Sequence, residues 1–490
     1  MNTVEKIAKN ISVFFVANVL TLLLGFASLS LTGRYLGAEL FGVLSLALAF
    51  SGMFGIISDL GLSTLTTREV ARDKSLVNKY VGNITGIRVF LAILTFGLIV
   101  GSAMLLGYAP QTVYVISIVA ISLVFTTLSS MYNSVFQAFE KIKYQSVGLI
   151  LNSALFLCGV AISIKLNFDV VSFAAIYFFV GAIVLVYTLA IFRRKCSRSK
   201  LEFDPVLWRS TINTALPFAL TSIFTTMFFW IDSILLSAFK GVEVVGWYSA
   251  AYRLMVVLLI IPTVINYAVF PAMSRFFVDA KNSLLLMRDT YLRYMAVIGV
   301  PIGVAITFFS REIILLIFGA GYVNSVIALQ ILVWASVFIF LGSPFTNFLV
   351  STDRQVSLTK VALICLVENV VLNLILIPPF GLIAASLVTV LTEFTSFLLL
   401  LLASRAVTKS SINNGLPAAG KIAFAGALMA ATIFAFEKFN PVLLTFAAVC
   451  IYFGALYVTR VVWKTDVMLL IQILRPEGDQ KQVTVQDEVE

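Results

Sequence analysis

The chain contains no histidine, and its 490 residues hold only four cysteines. The first absence removes histidine proton relays, histidine-based catalytic triads and histidine zinc sites. Three cysteines, Cys158, Cys365 and Cys450, sit inside apolar runs, and Cys196 sits in a basic stretch. Their spacing fits neither a metal knuckle nor a disulfide framework. Charge is also scarce, at 12% of residues, where a soluble domain carries about 25%. Long polar segments are missing too, which leaves no room for a soluble ATPase or sugar-nucleotide enzyme. The short outer connections argue against a membrane-embedded glycan polymerase or ligase, which needs polar groups gathered on a sizeable loop.

What is present is hydrophobic surface, 60% of all residues. One soluble core cannot absorb so much, because single cores stop growing at roughly 250–300 residues. Lipid must be the solvent for most of the chain. Backbone groups cannot stay unpaired in hydrocarbon, so the spans are helices or a closed barrel. Barrel strands alternate apolar and polar residues, whereas this chain runs continuously apolar through stretches such as 94–106 and 394–403. The expected class is therefore an all-α integral membrane protein.

A span needs about 20 mostly apolar residues. That rule predicts fourteen helices, at 11–33, 40–60, 83–107, 112–136, 145–165, 170–192, 212–238, 246–271, 290–309, 326–350, 357–378, 382–404, 419–437 and 441–463. The longest connections are 61–82, 193–211 and 272–289. The first apolar stretch is too long for a cleaved signal and reads as a retained span. If successive helices alternate in direction, one side collects 27 of the 34 Lys/Arg and the other only five, Arg34, Lys165, Lys240, Arg311 and Lys438. Positive charge marks the cytoplasmic side, so both termini are expected in the cytoplasm, in a multi-pass protein of the cell membrane. The net charge of +10 is thus a topology signal, and no nucleic-acid partner is expected.

A repeat divides the chain. Gly37-x-Glu39-x-x-Gly42-x-x-Ser45-x-Ala47 recurs 204 residues on as Gly241-x-Glu243-x-x-Gly246-x-x-Ser249-x-Ala251. The copies join predicted helices 1–2 and 7–8, a shift of six helices, so the halves share one orientation. Parallel six-helix repeats build transporters around a central cavity. The expected organisation is a lobe at 1–210, a second at 211–408, two extra helices within 409–465 and a polar tail at 466–490. Gly415 to Lys421 resembles a phosphate loop but continues into Ile422 where Ser or Thr would hold magnesium; it reads as a turn before helix 13.

Several stretches resemble the polysaccharide-biosynthesis flippases of the multidrug/oligosaccharidyl-lipid/polysaccharide exporter superfamily. They are Leu31-Thr-Gly-Arg34-Tyr-Leu-Gly37-Ala-Glu-Leu-Phe-Gly42, Ser58-Asp59-Leu-Gly61 running into Arg68-Glu-Val-Ala-Arg72, and Trp230-Ile-Asp232-Ser-Ile-Leu-Leu236 continuing through Gly246-Trp-Tyr248 to Arg253. Pro262 and the Phe270-Pro271-Ala-Met-Ser274 end of helix 8 complete the pattern. The resemblance implies two lobes that open alternately inward and outward, and a cargo of polyprenyl-pyrophosphate-linked oligosaccharide moved across the bilayer. It implies no cofactor, a monomer, and other polysaccharide-assembly proteins as partners. A multidrug-type exporter and a peptidoglycan-precursor exporter of the same superfamily stay open.

Charges inside spans are costly, about 2.5–3.5 kcal/mol each at mid-helix on the lenient scale, and so mark candidate sites. Arg34 reads as a snorkelling anchor or, with helix 1 at the gate, as a cavity cation. Arg88 lies one to two turns into helix 3 and reads as snorkelling or cargo-binding. Asp232 and Arg253 lie seven residues either side of the helix 7–8 turn, at equal depth, and are expected to neutralise each other. Arginine suits a pyrophosphate because its planar fork binds two oxygens at once. Glu368 and Glu393 fall on either side of the helix 11–12 turn, about 16–18 Å in at 1.5 Å per residue, near mid-bilayer. Asn369 and Asn373 share one helix face, as do Thr389 and Glu393. The group reads as a structural pair or as a coupling site for a sodium ion or a proton. The resemblance favours coupling, since relatives are thought to bind a cation on helices 7, 11 and 12, with Asp232 as a further ligand.

Overall fold

A computed structural model describes residues 3–197, 204–408, 415–436 and 439–461. These are helical throughout, with no strand among them. The expected polar tail at 466–490, and Arg198, Lys200 and Lys438 of the charge count, lie outside the described residues. In chain order the helices are α1 (Thr3–Asp59), α2 (Leu62–Arg72), α3 (Val77–Leu105), α4 (Pro110–Ala138), α5 (Ile142–Lys165), α6 (Val170–Lys195), α7 (Pro205–Lys240), α8 (Val242–Leu258), α9 (Ile260–Asp279), α10 (Lys281–Ile317), α11 (Ser325–Ser351), α12 (Gln355–Phe380), α13 (Leu382–Thr408), α14 (Gly415–Ala435) and α15 (Pro441–Val458).

Local chemistry sets the boundaries. Pro110, Pro205 and Pro441 open their helices, where the missing N–H is not needed. Asp169 caps α6 by accepting from the Ser172 N–H. Asp73 caps the 3-10 turn Lys74–Leu76, and hydrogen bonds from Ser75 hold its carboxyl below the usual range. Pro262 leaves the Leu258 carbonyl without its helical donor, and the chain breaks there between α8 and α9. Within α1, Gly37 has φ 70° and ψ 175°, a conformation essentially confined to glycine. The helix therefore divides there, between predicted spans 1 and 2.

Length and apolarity pick out twelve candidate membrane spans among the described residues, where fourteen were expected. The difference lies in two places. Val13–Arg72 is one 60-residue stretch that contains the Gly37 break, and Leu443–Val458 is a shorter apolar helix. Two expected connections are themselves helical. Residues 61–82 hold α2, whose Leu62, Leu65, Thr66 and Val70 fall on one buried face. Residues 272–289 are the polar ends of α9 and α10. The phosphate-loop lookalike is the first turns of α14.

The chain forms two compact units. One comprises Met1–Val257, Ser310–Leu332 and Leu358–Ser396. Its core joins Leu62 and Leu65 of α2 to Val81, Ile84 and Ile87 of α3 and to Met131, Val135 and Phe136 of α4. The other comprises Leu258–Phe309, Val333–Ser357 and Phe397–Glu490. There Ile422, Ala425, Met429 and Ile433 of α14 and Leu444, Ala448, Tyr452 and Leu456 of α15 form two stripes at helical spacing against Val297 and Val304 of α10. Large apolar side chains such as Ile93, Phe179 and Phe446 are exposed. Lipid is the partner such surfaces need.

Candidate functional site

Asp232 of α7 is buried, with four neutral side chains around it. Its Oδ1 accepts from Asn373 Nδ2 at 2.7 Å. Its Oδ2 accepts from the Tyr248 hydroxyl at 2.8 Å and from Thr389 Oγ1 at 2.9 Å. Asn373 Nδ2 also donates to Asn369 Oδ1 at 3.0 Å. Helices α7, α8, α12 and α13 thus converge on one carboxylate. Two buried atoms of the cluster, Asn373 Oδ1 and Asn369 Nδ2, have no hydrogen-bond partner. A buried carboxylate beside an orphaned amide oxygen is electrostatically incomplete. The oxygens of Asp232, Asn369, Asn373 and Thr389 fit a hard monovalent cation, which prefers oxygen ligands and here meets one negative charge.

Arg253 is not the partner of Asp232: no ion pair joins them among the described residues. Equal distance from a turn fixes depth but not azimuth, and each residue rotates a helix by about 100°. Tyr248, five residues earlier on α8, takes the place beside the carboxylate. Glu368 and Glu393 are partly buried. Glu368 accepts from Thr395 Oγ1 at 3.0 Å, and no hydrogen bond joins the two glutamates among the described residues.

Arg253 instead stands where two cavities meet. One, of about 300 Å³, lies among α1, α4, α5 and α6 and is lined by Ser28, Thr32, Ser45, Asn152 and Tyr177. The other, of about 420 Å³, lies among α1, α7 and α8 and is lined by Phe26, Phe229, Trp230 and Tyr252. Gly25, Leu29, Ser45 and Arg253 belong to both. Neither lining contains a carboxylate. The guanidinium has no hydrogen-bond or ion-pair partner among the described residues. The buried hydroxyls of Thr21, Thr32 and Ser45 on the cavity walls are also unpartnered. Polar and aromatic chambers with a guanidinium between them that makes no hydrogen bond or ion pair suit an anion carrying polar rings.

The other two arginines line neither cavity. Arg34 is exposed; its Nε donates to the Ile317 carbonyl at 2.8 Å and its Nη2 to that of Leu316. It caps the C-terminus of α10, where a cation meets the negative end of the helix. Arg88 is fully buried and bonds Asp59, Ser63 Oγ, Ser130 Oγ and the Thr127 carbonyl. Both guanidiniums end on protein oxygens.

Residues 7–277, more than half of the chain, match the family model described as polysaccharide biosynthesis protein. The chain belongs to the polysaccharide biosynthesis protein family. A second model, described as MatE, matches residues 217–375. The chain is 27% identical over 223 residues to a protein of Haloferax volcanii named probable flippase AglR, covering 44% of this chain and 45% of that one; it thus spans under half the length of that relative. It is 24% identical over 404 residues to the capsular polysaccharide biosynthesis protein CapF of Staphylococcus aureus, covering 80% of this chain and 97% of CapF. A solved structure of the lipid II flippase MurJ in an inward closed conformation superposes with a TM-score of 0.75 at 14% identity, covering 92% of this chain and 99% of that one. This likeness establishes the shared all-α membrane fold.

The polysaccharide biosynthesis match covers Asp232, Tyr248 and Arg253 but ends before Asn369. Trp230, Tyr248 and Tyr252 stand in the motif that runs from Trp230 to Arg253, but the sequence assigned them no role. A signal was present. At the repeat spacing the second copy carries Trp247 and Tyr248 where the first has Val43 and Leu44, and Asp232 where the first has Ser28. Polar departures between duplicated helices mark the copy that acquired a site.

Proposed function

We propose that the protein is a flippase that carries a polyprenyl-pyrophosphate-linked oligosaccharide across the cell membrane by alternating access, with both termini in the cytoplasm and six-helix halves at 1–210 and 211–408. The observation that carries this reading is the unpartnered guanidinium of Arg253 between a hydroxyl-lined and an aromatic chamber. A pyrophosphate sits against the guanidinium, hydroxyls meet sugar hydroxyls, and aromatic faces meet sugar rings. The names of AglR, CapF and MurJ are in keeping with it. Arg34 and Arg88 join the headgroup contacts only in a conformation that frees them from their present partners. Other polysaccharide-assembly proteins are the proposed partners of the transporter.

Asp232, Asn369, Asn373 and Thr389 are the proposed holders of a coupling sodium ion or proton, with Glu393 one turn beyond Thr389 and Glu368 beside Asn369 as the nearby carboxyl groups. The bound cation would supply the charge that the buried carboxylate lacks. A multidrug-type reading has one observation in its favour, the MatE match over 217–375. A cationic drug, however, would meet a guanidinium and no carboxylate in the two linings.

Flipping of a fluorescent polyprenyl-pyrophosphate disaccharide in proteoliposomes tests the cargo. Losing a charge-assisted contact worth about 1.5–3 kcal/mol lowers headgroup affinity by roughly 10- to 100-fold in Arg253→Ala. Lysine restores part of it, as a point charge without the fork. Because Asp232 does not rely on Arg253, the variant still folds. Normal flipping by correctly inserted Arg253→Ala would falsify the cargo assignment.

A further inference from the structure

Tyr248 ties the two halves of the proposed site together. Its hydroxyl reaches Asp232 Oδ2 at 2.8 Å and Thr389 Oγ1 at 3.1 Å. Its ring stacks on Tyr252 one turn along α8, with centroids 5.5 Å apart. Tyr252 packs edge-on against Phe229 at 5.1 Å, and Phe229 against Trp230 at 5.0 Å. Tyr252, Phe229 and Trp230 all line the larger cavity, and Arg253 follows Tyr252 directly. One short helix therefore presents a hydroxyl to the carboxylate and, a turn later, a ring and a guanidinium to the cargo chamber. Gly241, with φ 89°, precedes it and the break before Pro262 follows it.

The choice of acceptor is what sets Tyr248 apart. Tyr322, Tyr452 and Tyr187 place their hydroxyls on backbone carbonyls, those of Gly33, Val297 and Tyr144. Tyr248 donates instead to the one carboxylate of the cation cluster. Thr389 donates to the same oxygen, so two hydroxyl hydrogens supply the positive potential that a cation would bring.

We propose that Tyr248 is the positioning residue that transmits occupation of the Asp232 site to the cargo chamber, because its hydroxyl and a cation compete for the same carboxylate. When the carboxylate takes an ion, the Tyr248 hydroxyl gives up its bond. The ring, stacked on Tyr252, then shifts with α8, and the wall that carries Arg253 moves. The inference rests on the proposed cation site.

The test is calorimetry on the intact purified protein, titrating farnesyl pyrophosphate with and without sodium, and sodium with and without farnesyl pyrophosphate. Linkage requires the two coupling factors to be equal. In the wild type, sodium changes farnesyl pyrophosphate affinity. In Tyr248→Phe, which keeps the stacked ring, sodium binds about tenfold more tightly once the competing donor is gone, and the coupling factor falls towards one. Tyr252→Leu, which removes the stacked ring but no oxygen of the cluster, keeps sodium binding and also loses coupling. A Tyr248→Phe protein that binds sodium and keeps the wild-type coupling factor overturns the role of Tyr248. A wild type whose sodium and proton titrations both leave farnesyl pyrophosphate affinity unchanged, with Asp232→Asn identical to it, overturns the cation site itself. The same collapse read with protons in sodium-free buffer supports Tyr248 and assigns the ion.

Discussion

Arg88 and Arg253 are both arginines inside membrane helices, yet their surroundings give them opposite tasks. The Arg88 guanidinium is fully buried and meets Asp59 from the end of α1, Ser63 from α2, and Ser130 and the Thr127 carbonyl from α4. Asp59 also accepts from the Ser63 N–H and hydroxyl, and the turn that follows it carries Leu60 and Gly61 at positive φ. Four elements are pinned around one side chain. Removing one partner of a buried pair costs about 3–5 kcal/mol, here reduced because Asp59 keeps 29% of its side chain exposed. Arg88→Ala should therefore lower the unfolding free energy in detergent by about 2–3 kcal/mol, and the double variant Arg88→Met with Asp59→Asn should regain most of it. Arg253→Ala should leave that free energy within about 1 kcal/mol of wild type, as expected for a group with no hydrogen bond or ion pair to lose. Thermal unfolding of the three variants checks this; an Arg88→Ala protein as stable as wild type means that the clamp is not formed. None of this was legible in the chain. A charge within a span can be counted, but its partners here lie 29 and 39 residues away on helices whose facing sides no local pattern reveals.

At the scale of elements, the repeated motif makes a reciprocal contact. A Cβ on Gly42 would overlap the carbonyl of Val242, and a Cβ on Gly246 would overlap the carbonyl of Ala38. Residue 38 shifted by 204 is 242, and residue 42 shifted by 204 is 246, so each copy offers the other the same glycine and the same carbonyl. Such exchange of roles is what a two-fold axis imposes on a contact. It explains why both copies keep glycine at that place: two backbones meet there, as in small-residue contacts of membrane helices. The existence of the repeat could be read from the sequence; that its copies touch could not, because identity between segments carries no information on distance. Gly42→Ala and Gly246→Ala should each abolish transport in inserted protein, and to the same degree, since a backbone carbonyl cannot rotate out of the way. Flipping assays on the two variants decide it. Transport unchanged in either one would show that α1 and α8 do not approach so closely. The Asp232 cluster shows the same division. Asn369, Asn373 and Thr389 were legible as a polar group at one depth through helical spacing. Tyr248 was not, because an aromatic residue in an apolar run gives no sign of where its hydroxyl ends.

At the scale of the whole molecule, lipid as solvent made the helices readable and left the surface pattern inverted, with large apolar side chains outside and small polar ones such as Ser58, Thr66 and Ser336 buried. The length of apolar runs therefore locates spans and not their inner faces. Span ends were less legible, because α2 and the ends of α9 and α10 continue as helix past the apolar stretch. Orientation rests on the split of basic residues, 27 against five, and a native probe tests it. Cys196 follows α6 directly, beside Arg193, Arg194 and Lys195, and is partly exposed. Burial raises its thiol above the ordinary range, more than the nearby Lys141 ammonium lowers it. Less thiolate is then present at neutral pH, so maleimide labelling should be slow and should quicken as the pH is raised. In a protein whose other three cysteines are replaced, an impermeant maleimide should label Cys196 only after the cells are permeabilised. In a Cys196→Ser background, Lys240→Cys, at the opposite predicted side, should label in intact cells. Both results follow from positive charge being retained in the cytoplasm. Rapid labelling of Cys196 in intact cells, with none at position 240, would reverse the orientation and with it the direction of the proposed transport.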